Sequence, residues 1–194
     1  MHVFGHLRTV CRHRRAVRRH CFAIGLYRQG LTHDLSKFSP TEFLRGAKYW
    51  QGNYSPNDRE RHLMGYSLAW MHHKGRNRHH FEFWTDLDPK TGRYEAQKMP
   101  LKYLAEMLCD RMAASKTYLG ADYTDRAPLD YFTSHRAKAL MHPENADLLL
   151  SWLTLLANEG EDAVFSEVRR ALREEKVALR EEKRLKKQAE KSKK

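Results

Sequence analysis

His33 and Asp34 stand side by side in Gly30-Leu-Thr-His-Asp-Leu-Ser-Lys37, offering a neutral ring nitrogen and a carboxylate to one cation. Lys37 follows His33 by four residues, one helical turn, and could reach a phosphate held beside that cation. A His-Asp dipeptide alone carries little weight, but its company adds to it. His72-His73 and His79-His80 bracket a turn containing Arg76 and Asn77, and Glu82 follows. Neighbouring helix residues point about 100° apart, so one member of each pair can face a site while the other supports it or meets water. Glu106 and Asp110 lie one turn apart in a strongly apolar segment. Carboxylates buried there need a cation or a hydrogen-bond network, a salt bridge to Arg or Lys being the plainer alternative.

A further row precedes these groups. Val3, His6, Val10, His13, Val17, His20 and Ile24 alternate spacings of three and four, which puts all seven on one helix stripe. The arginines Arg8, Arg12, Arg14, Arg15, Arg18 and Arg19 mostly fall outside it. Successive histidines of the row are about 10 Å apart along the axis, so one ion takes only one of them. For any single histidine, a hydrogen bond to a carbonyl or acid is the simpler role.

Nearly every segment that must position these residues reads as helix, giving an all-α fold. The patterns predict helices over residues 3 to 28, 32 to 38, 39 to 50 (Ser39 as N-cap, Pro40 in the first turn), 57 to 73, 101 to 119, 129 to 141 and from Pro143 to Gly160. A small hairpin is expected around Thr91-Gly92. Beyond Arg173 the apolar residues Val177, Leu179 and Leu185 are isolated among charges, which predicts a solvated helix fraying into disorder. The expected organisation is a helical metal-binding domain over 1–165 and a basic, highly charged tail over 166–194.

The net charge of +12 belongs to the two ends: +7 over residues 1–37, +6 over 166–194, and −1 between. Such ends could attract phosphates, nucleotides or nucleic acid, or be no more than solvated helix surface. No apolar run approaches the roughly 18 residues of a membrane span. Cys11, Cys21 and Cys109 are far apart and form no CxxC pair, which suits a reducing cytoplasm and no cysteine zinc site. The acid-free, arginine-rich start would also suit a transit peptide, but its patterned histidines argue against one.

The order His, His-Asp, His-His, His-His, Asp resembles the HD superfamily of metal-dependent phosphohydrolases, with Ser36 where that motif usually has glycine. The strings GLYRQGLTHDLSKFSP, HHKGRNRHHFEFW and MPLKYLAEMLCDRMAASKTYL are similar to an uncharacterised bacterial family classed as a domain of unknown function. The HD resemblance implies an HD-like helical bundle, with His6 or His13 as first ligand, His33 and Asp34 as the central pair, and Asp110 closing the site. By analogy with the two-metal branches, Asp34 bridges two ions. His73 and His80 are then the favoured ligands of the second, with His72 and His79 as further possibilities. An imidazole and carboxylate shell suits Fe, Mn, Zn or Co.

The expected reaction is hydrolysis of a phosphate ester, such as a nucleotide. Lys37, Arg76 and the first-helix arginines would neutralise phosphate charge, and Glu82 or Glu106 would accept the proton. A di-iron oxygenase built on the same ligands, and a non-enzymatic nucleic-acid-binding protein using the basic ends, are the competing expectations.

Overall fold

The computed structural model of the chain describes residues 1–134 and 137–191. Helix α1 (Val3–Ala23) carries the predicted stripe inward: His6, Val10, His13, Val17, His20 and Ile24 are buried, and Val3 is half-buried. It stops five residues short of the predicted end. Gly25 takes a left-handed φ of 81°, and a new short helix, α2 (Tyr27–Thr32), sets off in another direction. A 3₁₀ turn (Leu35–Phe38) leads into α3 (Pro40–Tyr49), with Ser39 accepting a hydrogen bond from the Glu42 N–H as N-cap.

The helix predicted over 57–73 is two helices, α4 (Pro56–Met64) and α5 (Leu68–Lys74). Gly65, at φ 80°, ends α4 with its N–H on the Arg61 carbonyl. Ser67 then caps α5 and donates to the buried carboxylate of Glu60, which also accepts from Arg45 of α3. Strands β1 (Thr85–Leu87) and β2 (Tyr94–Ala96) form the expected hairpin, antiparallel with Asp86 opposite Glu95.

Helix α6 (Leu101–Leu119) is the central rod, packed against α1 on one side and α9 (Pro143–Lys191) on another. The core joins Val17 and Cys21 of α1, Leu104, Leu108 and Met112 of α6, and Leu149, Trp152, Leu153 and Leu156 of α9. Within the helix predicted over 129–141 the described residues form α7 (Ala127–Ser134), whose Phe132 enters the same core, and α8 (Ala137–Leu140); residues 135 and 136 lie outside the described part.

The predicted break at Gly160 is a kink at φ 83°, and α9 continues beyond it. The tail departs from expectation by staying helical to Lys191; residues 192–194 lie outside the described part. Its Ala, Leu, Glu, Lys and Arg content favours helix, and Arg170–Glu174 and Lys186–Glu182 each pair across one helical turn. No helix among the described residues is long and apolar enough to cross a membrane.

Gly46 of α3 is where α1 and α3 touch. A methyl group there would overlap the His6 ring at Nε2, and that ring is already packed against Phe43, with ring centres 5.2 Å apart. Gly46→Ala is therefore expected to destabilise the chain by about 1–3 kcal/mol, the usual range for overpacking. Urea unfolding of the two proteins measures it.

Candidate metal centre

The centre lies where α1, the α2–α3 connection, the end of α5 with the following turn, and α6 converge. Its pivot is Asp34. This residue alone among the described non-glycine residues has a positive φ, 52°. Asp tolerates the left-handed region better than most residues. The reversal it makes turns both the His33 ring and its own carboxylate inward, leaving them 2% and 1% exposed. Arg14 of α1 fixes the turn by donating to the carbonyls of His33, at 2.8 Å, and Leu31, at 3.2 Å. These are the orphan carbonyls at the end of α2.

Two groups of ligating atoms share Asp34. His13, His33, Asp34 and Asp110 form one; Asp34, His73, His79 and His80 form the other. In each, the atoms lie within 4.8 Å of one another. His13 Nε2 is 3.0 Å from Asp110 Oδ1, and His33 Nε2 is 3.4 Å from Asp34 Oδ2 and 3.5 Å from Asp110 Oδ1. On the other side, the Nε2 atoms of His73 and His79 lie 3.3 and 3.4 Å from Asp34 Oδ1. Despite this crowding, His13 Nε2, His33 Nε2, Asp34 Oδ1, His79 Nε2 and His80 Nε2 are buried without an aligned hydrogen bond. Buried polar atoms left so are costly, and several converging on one place could hold a cation.

The other ring nitrogens are held from behind. Glu106 reaches His33 Nδ1 at 2.9 Å and His79 Nδ1 at 3.3 Å. Glu42 reaches His73 Nδ1 at 2.7 Å and His72 Nδ1 at 2.6 Å. Asn77 donates to Ser36 Oγ and to the His73 carbonyl, tying the end of α5 to the His33-Asp34 turn. A carboxylate behind His33, His73 and His79 sets which of their ring nitrogens faces Asp34.

Charge follows the same plan. Burial opposes ionisation of Asp34 and Asp110, yet both are held well below the usual carboxylate range, Asp34 by His33 and Lys37 and Asp110 by His13 and His33. Burial also works against a charged His33, but Asp34, Asp110 and Glu106 outweigh it and push its pKa up to about 10. Burial keeps His13 and His80 neutral, the form that binds a cation. Lys37 Nζ stands 2.8 Å from Asp34 Oδ2, on a side chain still 27% exposed.

His33, Asp34, Asp110, His13, His73 and His80 of the predicted set come together, and His79 joins them as a full member. His72 does not: it faces Glu42 instead. His6 is also elsewhere, one row-step from His13 and packed on Phe43; burial and the Lys37 charge lower its pKa to about 4. His20 faces the Cys109 carbonyl at 3.3 Å.

Among the residues expected to act on a substrate, Lys37 is at the centre and Arg76 is exposed in the turn after α5, outside both groups. Glu106 reaches the Nδ1 atoms of both His33 and His79, and these three form a further group whose atoms lie within 4.8 Å of one another. Glu82 lies outside both groups. Of the first-helix arginines, Arg12 and Arg14 spend their guanidinium groups on carbonyls.

Glu42 is a member of the site that spacing does not single out. Three residues after the Ser39 N-cap, it has the position of a capping-box acid, and only its depth in the fold reveals its use. Glu42→Gln is expected to weaken cation binding at the His73 side by about 10–100-fold while sparing the His13 side. A metal titration resolving two binding events checks this.

The model of a family of unknown function, DUF5662, matches residues 2–155, and the chain belongs to that family. No curated protein and no solved structure matches it. The likeness to the HD superfamily thus rests on the order of the motifs.

Proposed function

We propose that this member of a family of unknown function is a metal-dependent phosphohydrolase with two cation positions bridged by Asp34. The observation that carries the reading is the convergence of buried, unbonded imidazole nitrogens and a carboxylate oxygen on both sides of Asp34. His13, His33 and Asp110 would hold one divalent ion, and His73, His79 and His80 the other. Fe, Mn, Zn or Co suits such a shell. Bound there, the ions would supply an acidified water and polarise a phosphoryl oxygen.

The chain's own residues do the rest. Glu106 and Glu42 keep the four rings they touch in register. Lys37, partly open to solvent beside Asp34, donates to a phosphate oxygen as it arrives. Asp110, 17% exposed, would lie on the side from which a substrate reaches the centre.

Metal-loaded protein tested on nucleotides and phosphodiesters is expected to release phosphate or a nucleotide, and chelated protein is not. Lys37→Met should lower kcat/KM with metal content unchanged. A second reading is favoured by the three imidazoles of the His73 side and by the depth of the site: a di-iron oxygenase. Oxygen uptake by the iron-loaded chain, with no phosphate released from any substrate, would replace the hydrolytic reading with that one.

A further inference from the structure

Helix α9 leaves the body of the fold after Leu172, and every residue from Lys176 to Lys191 is exposed. The cations of this stretch are not scattered. Arg169, Arg173, Lys176, Arg180, Lys183, Lys187 and Lys191 follow one another at steps of three or four, with Arg184 beside them. Residues so spaced share a face, so these cations form one strip about 100° wide. From Arg173 to Lys191 it is about 27 Å long. Glu174, Glu175, Glu181 and Glu182 lie on the other faces, and Glu190 borders the strip. The ion pairs of the segment are made outside it, by Arg170 and Lys186. Arg173, Lys176, Arg180, Lys183, Arg184, Lys187 and Lys191 form no ion pair among the described residues.

The strip does not begin in isolation. Arg8, Arg12, Arg15 and Arg19 run along one exposed face of α1 at the same spacing, with Arg12 shared with the Thr117 carbonyl. Ala23 continues that face, and Arg169 Nη1 donates to its carbonyl at 2.8 Å. The two rows of cations therefore meet at Arg169.

An acid-poor row of unpaired cations of this length fits a regular line of phosphates. Val177, Leu179 and Leu185 point in three directions around the helix, so there is no apolar face to enter a lipid surface and no seam for a second helix. A protein partner would need an apolar anchor that the strip lacks. Residues 166–191 carry no aromatic ring on which the bases of a single strand could stack. We infer that the α9 strip, rooted on the arginines of α1, binds the phosphate backbone of a nucleic-acid duplex without reading its sequence. This function is separate from the cation positions around Asp34.

Fluorescence anisotropy of the full chain with a duplex of arbitrary sequence, one arm DNA and one RNA, tests it. Micromolar binding is expected in at least one arm. Its logarithm should fall against that of salt concentration with a slope of about −4 to −6, the signature of five to seven phosphate contacts. The deciding variant exchanges neighbours: Arg180→Glu with Glu181→Arg, and Glu182→Lys with Lys183→Glu. Net charge and composition stay the same while the strip is broken. Affinity should drop about tenfold and the slope should shrink by about 2, with metal content and helical circular dichroism unchanged. Equal binding by wild type and this variant would overturn the strip, leaving only unspecific attraction to net charge. So would duplex binding lost on chelation, which would place the nucleic acid at the cations, or binding to anionic vesicles with none to either duplex.

Discussion

Asp34→Asn is expected to empty both cation positions together. Asparagine keeps the shape of the side chain and tolerates the left-handed backbone that residue 34 adopts, so the turn survives. What it removes is the charge both groups share. A carboxylate behind a ligand is worth about 10–100-fold in metal affinity, and a bridging ligand at least that at each position, so the loss is about 100-fold or more at both. Replacing an unshared ligand, His13→Ala or His80→Ala, should instead weaken one position more than the other. Metal content after dialysis, with helical circular dichroism to verify folding, distinguishes the patterns. Loss of one ion only in Asp34→Asn would mean that Asp34 does not bridge.

Chelation should cost the fold a substantial part of its stability. A cation at 1,000 times its dissociation constant stabilises the native chain by about 4 kcal/mol, which corresponds to a melting shift of about 10 °C for a chain of this size. The effect has a sign in pH. In the metal-free chain the His33 proton is held up to about 10 by Asp34, Asp110 and Glu106, against 6.5 for a free imidazole. That contribution is fully present below 6.5 and fades as the pH rises from 6.5 towards 10. In the loaded chain His33 is a deprotonated ligand and gives no such contribution. The gap in melting temperature between loaded and chelated protein therefore widens as pH rises through this window. A constant or narrowing gap would place the cation away from His33.

The sequence displays some of this arrangement openly. The alternating spacing of α1 can be satisfied only by one buried stripe, so His13 and His20 read as inward from their spacing alone. Asp110 and Glu106 read as buried because their neighbours on α6 are apolar. Other features are decided by tertiary contact. His72 and His73 are equivalent in sequence, and only Glu42 of another helix determines which ring serves the centre. His79 and His80 both enter because the chain leaves helix after Lys74, so the helical rule of one face per pair no longer applies. The glycines at 25 and 65 shorten helices whose hydrophobic pattern runs on without pause.

The most direct test of the central claim is the metal content of wild-type chain, expressed in metal-replete medium and purified without chelator, by mass spectrometry of the elements. About two divalent transition-metal ions per chain are expected, one for each side of Asp34. Protein that carries none, and takes up none when Fe, Mn, Zn and Co are offered in turn, would contradict the account.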